Sequence, residues 1–295
     1  MRGARHERSV EEAIAHGGAI VAGDRVLVAC SGGPDSVALT AALHALAERL
    51  SLTLAIGFVD HGVRASALQD ECVVLELAAR LNVPLDVMTP AIAARDEQVL
   101  RDARYAALAD AAVRRRCNVV ATAHHAEDQS ETVLLALLRG SGPTGLAGMH
   151  SRRALATNVD LARPLMAVSS ERLRDYCHAR CLPYAVDPTN ADVTVRRNAV
   201  RTALEQLRPV FPGLDQAVAR AAELLTAEQD ATPRAQLRHS VRERLAADDT
   251  LRDIDFTHIE AAVRALEEGR SGTFHMKPGI ALSIEGGSIR GIKRL

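Results

Sequence analysis

The chain has 295 residues, a formal net charge of −1 and 47% hydrophobic residues. This balance is typical of a globular protein and excludes a histone-like or generally basic binder. No apolar run reaches the ~18 residues of a membrane span. Residues 1–17 are polar and charged rather than signal-like, and the five cysteines are scattered. We therefore expect a cytoplasmic protein without a disulfide framework, long enough for one large and one smaller domain.

Short apolar runs recur along the first half of the chain and predict buried strands. The runs are Arg25–Cys30, Leu54–Asp60, Leu85–Thr89 and Asn118–Ala123. Helical patterns separate and follow them at Ser36–Leu50, Leu68–Leu81, Leu100–Arg116 and Glu127–Arg139. This alternation indicates βαβ units. We predict an α/β fold with a doubly wound, mainly parallel five-stranded sheet and helices on both faces.

The pattern changes in the second half of the chain. Val168–Arg180 reads as a helix, and the turn-rich Pro209–Gly213 reads as a boundary. We therefore predict a catalytic domain over residues 1–208 and a smaller, mostly helical domain over residues 209–295. Within the second domain, the tail Gly272–Leu295 has short alternating runs split by Pro-Gly and Gly-Gly, which predict small strands.

The loop Ser31–Ser36, with the sequence SGGPDS, joins the first predicted strand to a helix. Gly32 and Gly33 permit close approach of the backbone to a ligand, and Pro34 suits the first helical turn. Free amides at such a helix start favour an anion. The loop lacks the lysine of a Walker A sequence. A plain structural turn remains an alternative, and Asp35 is then only a first-turn carboxylate rather than a Mg²⁺ ligand.

Polar residues also follow the second and fourth predicted strands, at residues 60–64 and 124–132. Ligands of open α/β sheets bind beyond the carboxyl ends of the strands. His124, Asp128 and Glu131 have helical spacings of four and three and could share one face. Because there is no H-E-x-x-H pattern, we do not favour zinc. The cluster suits acid/base chemistry or Mg²⁺ with a polyphosphate.

The SGGPDS loop resembles the SGGxDS loop of the N-type ATP pyrophosphatases, the PP-loop superfamily. Four further runs make Val26–Arg201 similar to the tRNA(Ile)-lysidine synthetase family. They are VDHGVR, ATAHHAEDQSETVLLALLRGSGPTGLAGM, RPLMAVSSERLRDYC and DPTNADVTVRRNAVR. The chain departs from the family where Ala123 replaces a common glycine and Glu127 a common aspartate, which puts local geometry in question rather than activity.

The resemblance implies a two-step ligase reaction. The base carbonyl oxygen of the wobble cytidine in a CAU-anticodon isoleucine tRNA attacks the α-phosphorus of ATP. The ε-amine of free L-lysine then attacks the adenylated base, giving lysidine, AMP and pyrophosphate and switching the codon read from AUG to AUA. ATP and Mg²⁺ are the implied cofactors. No membrane or DNA partner is expected, and homodimer formation is left open.

The resemblance also implies roles for particular residues. Catalytic roles fall to Asp35, His124, Glu131 and Arg196. ATP is expected to bind Ser31, Gly32, Gly33, Pro34, Asp35, Ser36, Asp60, His61 and His125. Mg²⁺ is expected on Asp35 and Glu131. The tRNA is expected to contact Arg64, Arg104, Arg139, Arg197, Asn198 and Arg201. Since aromatic residues make up only 2% of the chain, we expect recognition by shape and phosphate contacts rather than by stacking.

Three alternative functions fit the sequence less well. Cytidine thiolation by a related enzyme usually involves a C-x-x-C pair, whereas Cys177 and Cys181 are four residues apart and read as buried helix positions. Nucleotide amidation is disfavoured because the chain has no glutaminase domain. A non-catalytic tRNA-binding module leaves unexplained why acidic residues such as Asp35 and Glu131 occur where a pure binder needs arginine.

Overall fold

The computed structural model describes residues 10–60, 67–90, 97–185, 195–229, 233–247, 254 and 256–294. The chain divides into two compact units. The first comprises residues 1–140 and 148–219, and the second comprises residues 141–147 and 220–295. Our boundary between residues 208 and 209 stays a prediction. Within the described ranges, no helix combines the length and hydrophobicity needed to span a lipid bilayer.

The first unit contains a six-stranded sheet. Its strands are β1 (Arg25–Ala29), β2 (Thr53–Val59), β3 (Leu85–Met88), β4 (Val119–Ala121), β5 (Arg152–Ala156) and β6 (Val159–Ala162). They lie in the order β3-β2-β1-β4-β6-β5, and only β5 is antiparallel to its neighbour. The predicted fold class is confirmed, but the sheet has six strands rather than five.

The difference in strand number arises from the hairpin formed by β5 and β6. Edge strand β5 is largely exposed and carries two arginines, so it lacks the apolar run of a buried strand. Strand β6 is buried but spans only four residues. An edge strand such as β5 needs less hydrophobic sequence than a central strand does, and β6, between β4 and β5, is too short to give a recognisable apolar run.

Helices cover both faces of this sheet. Those of the first unit are α1 (residues 10–16), α2 (Pro34–Leu46), α3 (Ala67–Leu81), α4 (Glu97–Arg114), α5 (Ala126–Leu138), α7 (Ser170–Ala179) and α8 (Val195–Leu207). One core contains Val26 and Val28 of β1 together with residues of α1, α2, α3 and α7. A second core contains Leu27 of β1 together with residues of α4. Successive strand residues point to opposite faces, which explains the division.

Strand β1 lies where the strand order reverses. The chain runs from β1 outward to β2 and β3, and then returns to β4 on the other side of β1. Such a switch point opens a crevice beyond the carboxyl ends of the two central strands. The SGGPDS loop follows β1 and the histidine pair follows β4, so both predicted motifs lie at this crevice.

The second unit combines helices with a small antiparallel sheet. It includes α6 (Pro143–Leu146), the second part of α9 (Leu214–Gln229), α10 (Pro233–Ala247), α11 (Phe256–Glu267), β7 (Gly272–Lys277), β8 (Ile280–Glu285) and β9 (Ser288–Arg294). Strands β7, β8 and β9 pair antiparallel in chain order. Val241, Ile259, Met276 and Leu282 lie in its core. The predicted helices and tail strands are confirmed.

Candidate functional site

The SGGPDS loop is held in one conformation by the buried side chain of Ser36. Its hydroxyl oxygen accepts a hydrogen bond from the Ser31 N–H (3.0 Å) and donates one to the Gly33 carbonyl (2.9 Å). Gly32 has a φ of +86°, and a Cβ there would lie 2.9 Å from the carbonyl oxygen of Asp70. Position 32 therefore requires glycine both for its backbone conformation and for the close approach of α3.

Helix α2 begins within this loop, at Pro34, with free backbone donors. Gly33 caps it in an extended conformation and receives no side-chain capping hydrogen bond, and Pro34 occupies the first turn. The first amides of a helix have no partner within it, and the helix dipole adds positive potential. This end of α2 is suited to a phosphate group.

Asp35 places a carboxylate at the same helix start. Its Oδ2 lies 3.7 Å from His125 Nε2, while Oδ1 is buried and has no hydrogen-bond partner among the described residues. Burial raises the pKa of this carboxyl group. An unpaired buried carboxylate oxygen is an acceptor that a hard cation can satisfy, so this residue fits Mg²⁺. Within the part of the chain that the structure describes, no group of three His, Cys, Asp or Glu side chains could hold a metal. A cation here would take its remaining ligands from phosphate oxygens or water.

His125 lies among three carboxylates. Its Nδ1 is 2.9 Å from Glu127, and its Nε2 is 3.4 Å from Asp128 and 3.7 Å from Asp35. Burial alone would lower the pKa of His125, but the hydrogen bond with Glu127 and the negative charges raise it to about 9. The pKa of Glu127 is about 2, because its contacts with His125 outweigh burial. His125 is therefore an imidazolium at neutral pH.

His124 lies in the opposite electrostatic environment. Its Nδ1 is hydrogen-bonded with the Thr122 hydroxyl at 2.9 Å. Burial, followed by the positive charges of Arg163 and Arg104, lowers the pKa of His124 well below 6.5. The imidazole is therefore neutral. Because the chain is extended at His125, successive side chains point to opposite sides, and the adjacent histidines face different groups.

The shared helical face predicted for the His124 cluster is wrong. Helix α5 begins at Ala126, after the extended histidine pair, so His124 lies outside the helix that carries Asp128 and Glu131. The physical reason is the cap at the start of α5. The Asp128 carboxylate accepts the His125 N–H at 3.1 Å, which ends the extended segment there.

Glu131 is buried and neutralised by two arginines of α8. It accepts hydrogen bonds from Arg197 Nε (3.0 Å) and Arg201 Nε (2.7 Å). Burial raises the pKa of Glu131, but these hydrogen bonds outweigh it and lower the pKa below its usual value. Glu131, a predicted Mg²⁺ ligand, is therefore ion-paired with Arg197 and Arg201, which are both predicted tRNA contacts. A role of Glu131 at a metal would require it to exchange those partners.

The other residues predicted to bind ATP or tRNA, or to act in catalysis, lie at separate positions in the first unit. Asp60 follows β2, where its N–H donates to the Met88 carbonyl at 2.8 Å. Arg139 ends α5 and is exposed, as is Arg196 on α8. Asn198 is half-buried on α8. His61 and Arg64 lie outside the described residues.

Four arginines lie around Tyr105 in a cluster that the sequence patterns do not predict, and we call it the arginine cluster. It consists of Arg101, Arg104, Arg153 and Arg163. The first three place their guanidinium groups 5.5, 5.5 and 5.9 Å from the centre of the Tyr105 ring. Arg163 is only 3% exposed and follows β6. The strand-end rule would have found Arg163 if β6 had been recognised.

Comparisons with known proteins agree on the family. A family model described as a PP-loop domain matches residues 4–207. A tRNA(Ile)-lysidine synthase from Salinispora arenicola is 40% identical over 209 residues, which cover 69% of this chain and 62% of that protein. A tRNA(Ile)-lysidine synthase from Symbiobacterium thermophilum is 40% identical over 199 residues, covering 65% of this chain and 41% of that protein. The chain thus matches less than two thirds of either relative.

A solved structure supports the fold alone. The U34-tRNA thiolase NcsA from Methanococcus maripaludis, determined with its [4Fe-4S] cluster, superimposes with a TM-score of 0.65 at 16% sequence identity. The superposition covers 75% of this chain and 79% of that one. The similarity therefore extends over most of both chains.

Proposed function

Because the chain belongs to the PP-loop family, we propose that it is an ATP-dependent, AMP-forming ligase that modifies tRNA. Its substrates are the CAU-anticodon isoleucine tRNA, ATP and free L-lysine, and its product is tRNA with lysidine at the wobble position. The names of the relatives that match 65–69% of the chain support this choice of substrates.

The observation that carries the proposal is the pairing of the SGGPDS loop with the acidic residues across the crevice. The free amides of α2 are suited to the β and γ phosphates, and the imidazolium of His125 adds positive charge beside Asp35. Because the loop has no lysine, the phosphates would be held by amides and hydroxyl groups. Pyrophosphate is the group that remains on the loop, while the AMP moiety is transferred.

Mg²⁺ would be held by Asp35 and Glu131 and would supply positive charge to the polyphosphate. The unpaired, buried Oδ1 of Asp35 supports its part in this site. The ATP-binding role extends to Asp60, His61 and His125, and the tRNA-binding role to Arg64, Arg139, Arg197, Asn198 and Arg201. Arg196 is exposed at the start of α8 and is assigned to the charge that develops at the transferred phosphate.

The chemistry proceeds in two displacements. The cytidine carbonyl oxygen forms a bond to the α-phosphorus, and the bond between the α-phosphorus and pyrophosphate breaks. The ε-amine of lysine then forms a bond to the activated ring carbon and loses a proton, while AMP leaves with the former carbonyl oxygen. We assign His124 to the reacting phosphate as a hydrogen-bonding partner, a role supported by its neutral imidazole and its hydrogen bond with Thr122.

Cysteine chemistry is less well supported as an alternative. Cys177 lies near the loop, and its thiol donates to the Pro34 carbonyl at 3.4 Å. Burial raises the pKa of Cys177 to about 12, so it stays protonated, whereas sulfur transfer needs a thiolate. Cys181 is exposed and lies on the turn after α7, so the prediction of a buried helix position is wrong for this residue.

The test is a direct assay of the purified protein with isoleucine tRNA, ATP, Mg²⁺ and radiolabelled lysine. We expect the label to enter the RNA and AMP to be released. Release of ADP, or AMP release without incorporation of lysine, would contradict the assignment. A reaction with methionine tRNA, which carries the same anticodon, is the matched control for substrate choice.

A further inference from the structure

Helix α7 shares a core with α2, the helix that begins in the SGGPDS loop, and carries an arginine, Arg174, on its side facing that loop. We propose that Arg174 binds the β and γ phosphates of ATP and then the released pyrophosphate, and so supplies the cation that the lysine-free loop lacks. The inference deepens the proposed function and rests on it, because it requires a polyphosphate at the start of α2.

The contacts along α7 place Arg174 beside the loop. Ser170, Arg174 and Cys177 are spaced four and three residues apart, so they share one face of the helix. At one end of this face, the Ser170 hydroxyl donates to the Glu127 carboxylate at 3.3 Å. At the other end, the Cys177 thiol donates to the Pro34 carbonyl at 3.4 Å. Arg174 therefore lies between a contact with the acidic residues and a contact with the loop itself.

The electrostatic environment of Asp35 agrees with this position. Burial raises the pKa of the Asp35 carboxyl group, and the positive charges of His125 and Arg174 oppose that rise. Asp35 lies in the first turn of α2, where the backbone amides receive no side-chain cap. The charge of Arg174 thus acts on the same helix start that is suited to a phosphate group.

The guanidinium group of Arg174 is available to a ligand. The side chain is exposed, and it makes no hydrogen bond or ion pair within the part of the chain that the structure describes. Arg197 and Arg201 differ in this respect, because both are paired with Glu131. The planar fork of arginine matches two phosphate oxygens, which makes Arg174 a suitable ligand for a polyphosphate.

The balance of charge at the crevice favours a further cation. Asp35, Glu127 and Asp128 place three carboxylates around the imidazolium of His125. A polyphosphate brings more negative charge to this site, and like charges at short distance repel. Arg174 adds a positive charge that does not depend on pH, because a guanidinium group is not deprotonated in proteins.

The experiment compares the binding of inorganic pyrophosphate with that of AMP, each with Mg²⁺, by calorimetric titration. Arg174→Gln should weaken pyrophosphate binding by about 10- to 100-fold, as expected for the loss of hydrogen bonds to a charged group. AMP has no β or γ phosphate, so its affinity should be unchanged, which also shows that the variant folds. Arg174→Lys keeps the charge without the fork and should recover part of the lost affinity.

Arg172→Gln is the matched control, because it removes the same charge from a different face of α7. It should bind pyrophosphate as the wild type does. An equal loss of affinity in Arg172→Gln would overturn the inference, since it would indicate a general effect of the charge on α7. A higher KM for tRNA in Arg174→Gln, with unchanged pyrophosphate affinity, would also overturn it and would assign Arg174 to an RNA phosphate.

Two further outcomes separate this inference from the proposed function. If the wild type forms AMP and transfers lysine, but Arg174→Gln binds pyrophosphate as tightly as the wild type, the inference alone fails. If pyrophosphate binding depends on Arg174 but the wild type transfers no lysine, the phosphate contact stands and the proposed function fails.

Discussion

Two adjacent histidines of the same chain segment occupy opposite electrostatic environments. His124 faces the arginine cluster and is neutral, whereas His125 faces Asp35, Glu127 and Asp128 and is protonated, with a pKa of about 9. Both side chains are mostly buried, so burial does not distinguish them. The comparison teaches that neighbouring charges, not residue type or burial, decide the protonation state, and that one extended dipeptide can separate a cationic site from an acidic one.

Replacing Asp35 with Asn removes the carboxylate in the first turn of α2, whose Oδ1 is buried and has no hydrogen-bond partner among the described residues. We expect the rate of AMP formation to fall by about 100- to 1000-fold, as for loss of a group that stabilises charge at the reacting centre. Retention of tRNA on a filter should stay the same, because the arginines are untouched. A normal rate of AMP formation in Asp35→Asn would show that the Asp35 carboxylate has no role in the reaction. Asp110→Asn, an exposed change on α4, is the control.

The two histidines should affect stability with opposite dependence on pH. The folded-state pKa of His125 is raised from 6.5 to about 9, so its stabilisation is complete below pH 6.5 and is lost as the pH rises through about 9. His125→Gln should therefore lower the free energy of unfolding by about 3 kcal/mol at about pH 6 and by much less above about pH 9.

His124 should change the free energy of unfolding with the opposite dependence on pH. Its pKa is lowered in the folded protein, so the folded state loses stability relative to His124→Gln as the pH falls below 6.5. Urea unfolding of the wild type and both variants across this range measures both effects. Parallel curves for the two variants would show that the environments do not differ as described.

A smaller effect is expected from the arginines that neutralise Glu131. Arg201→Gln should lower the free energy of unfolding by about 1–2 kcal/mol, because it leaves a buried carboxylate with one arginine partner. The pKa of Glu131 is lowered in the folded state, so this difference should be present above pH 4.5 and disappear at lower pH. Arg196→Gln is the matched change at an exposed position of α8. Equal losses for both variants would indicate a general effect on the helix.

Sequence reasoning succeeded where local pattern dominates. The central strands were found because they are buried on both faces and form continuous apolar runs. The loop at Gly32 was found because its conformation demands glycine. The hairpin of β5 and β6 was missed because an exposed edge strand and a four-residue strand lack such a run. Arg163 was missed with it.

The sequence by itself determined the order of strands and helices, the phosphate-suited loop and the family resemblance. These follow from hydrophobic periodicity, glycine positions and short motifs, all of which are local. Only the tertiary structure decided three features of the site. Glu131 lies against two arginines of α8, and the Tyr105 ring contacts arginines from α4 and from the edge strand β5. His124 and His125 differ in charge. The reason is that electrostatic environment depends on groups distant in the sequence, whose positions are set by the packing of the whole sheet.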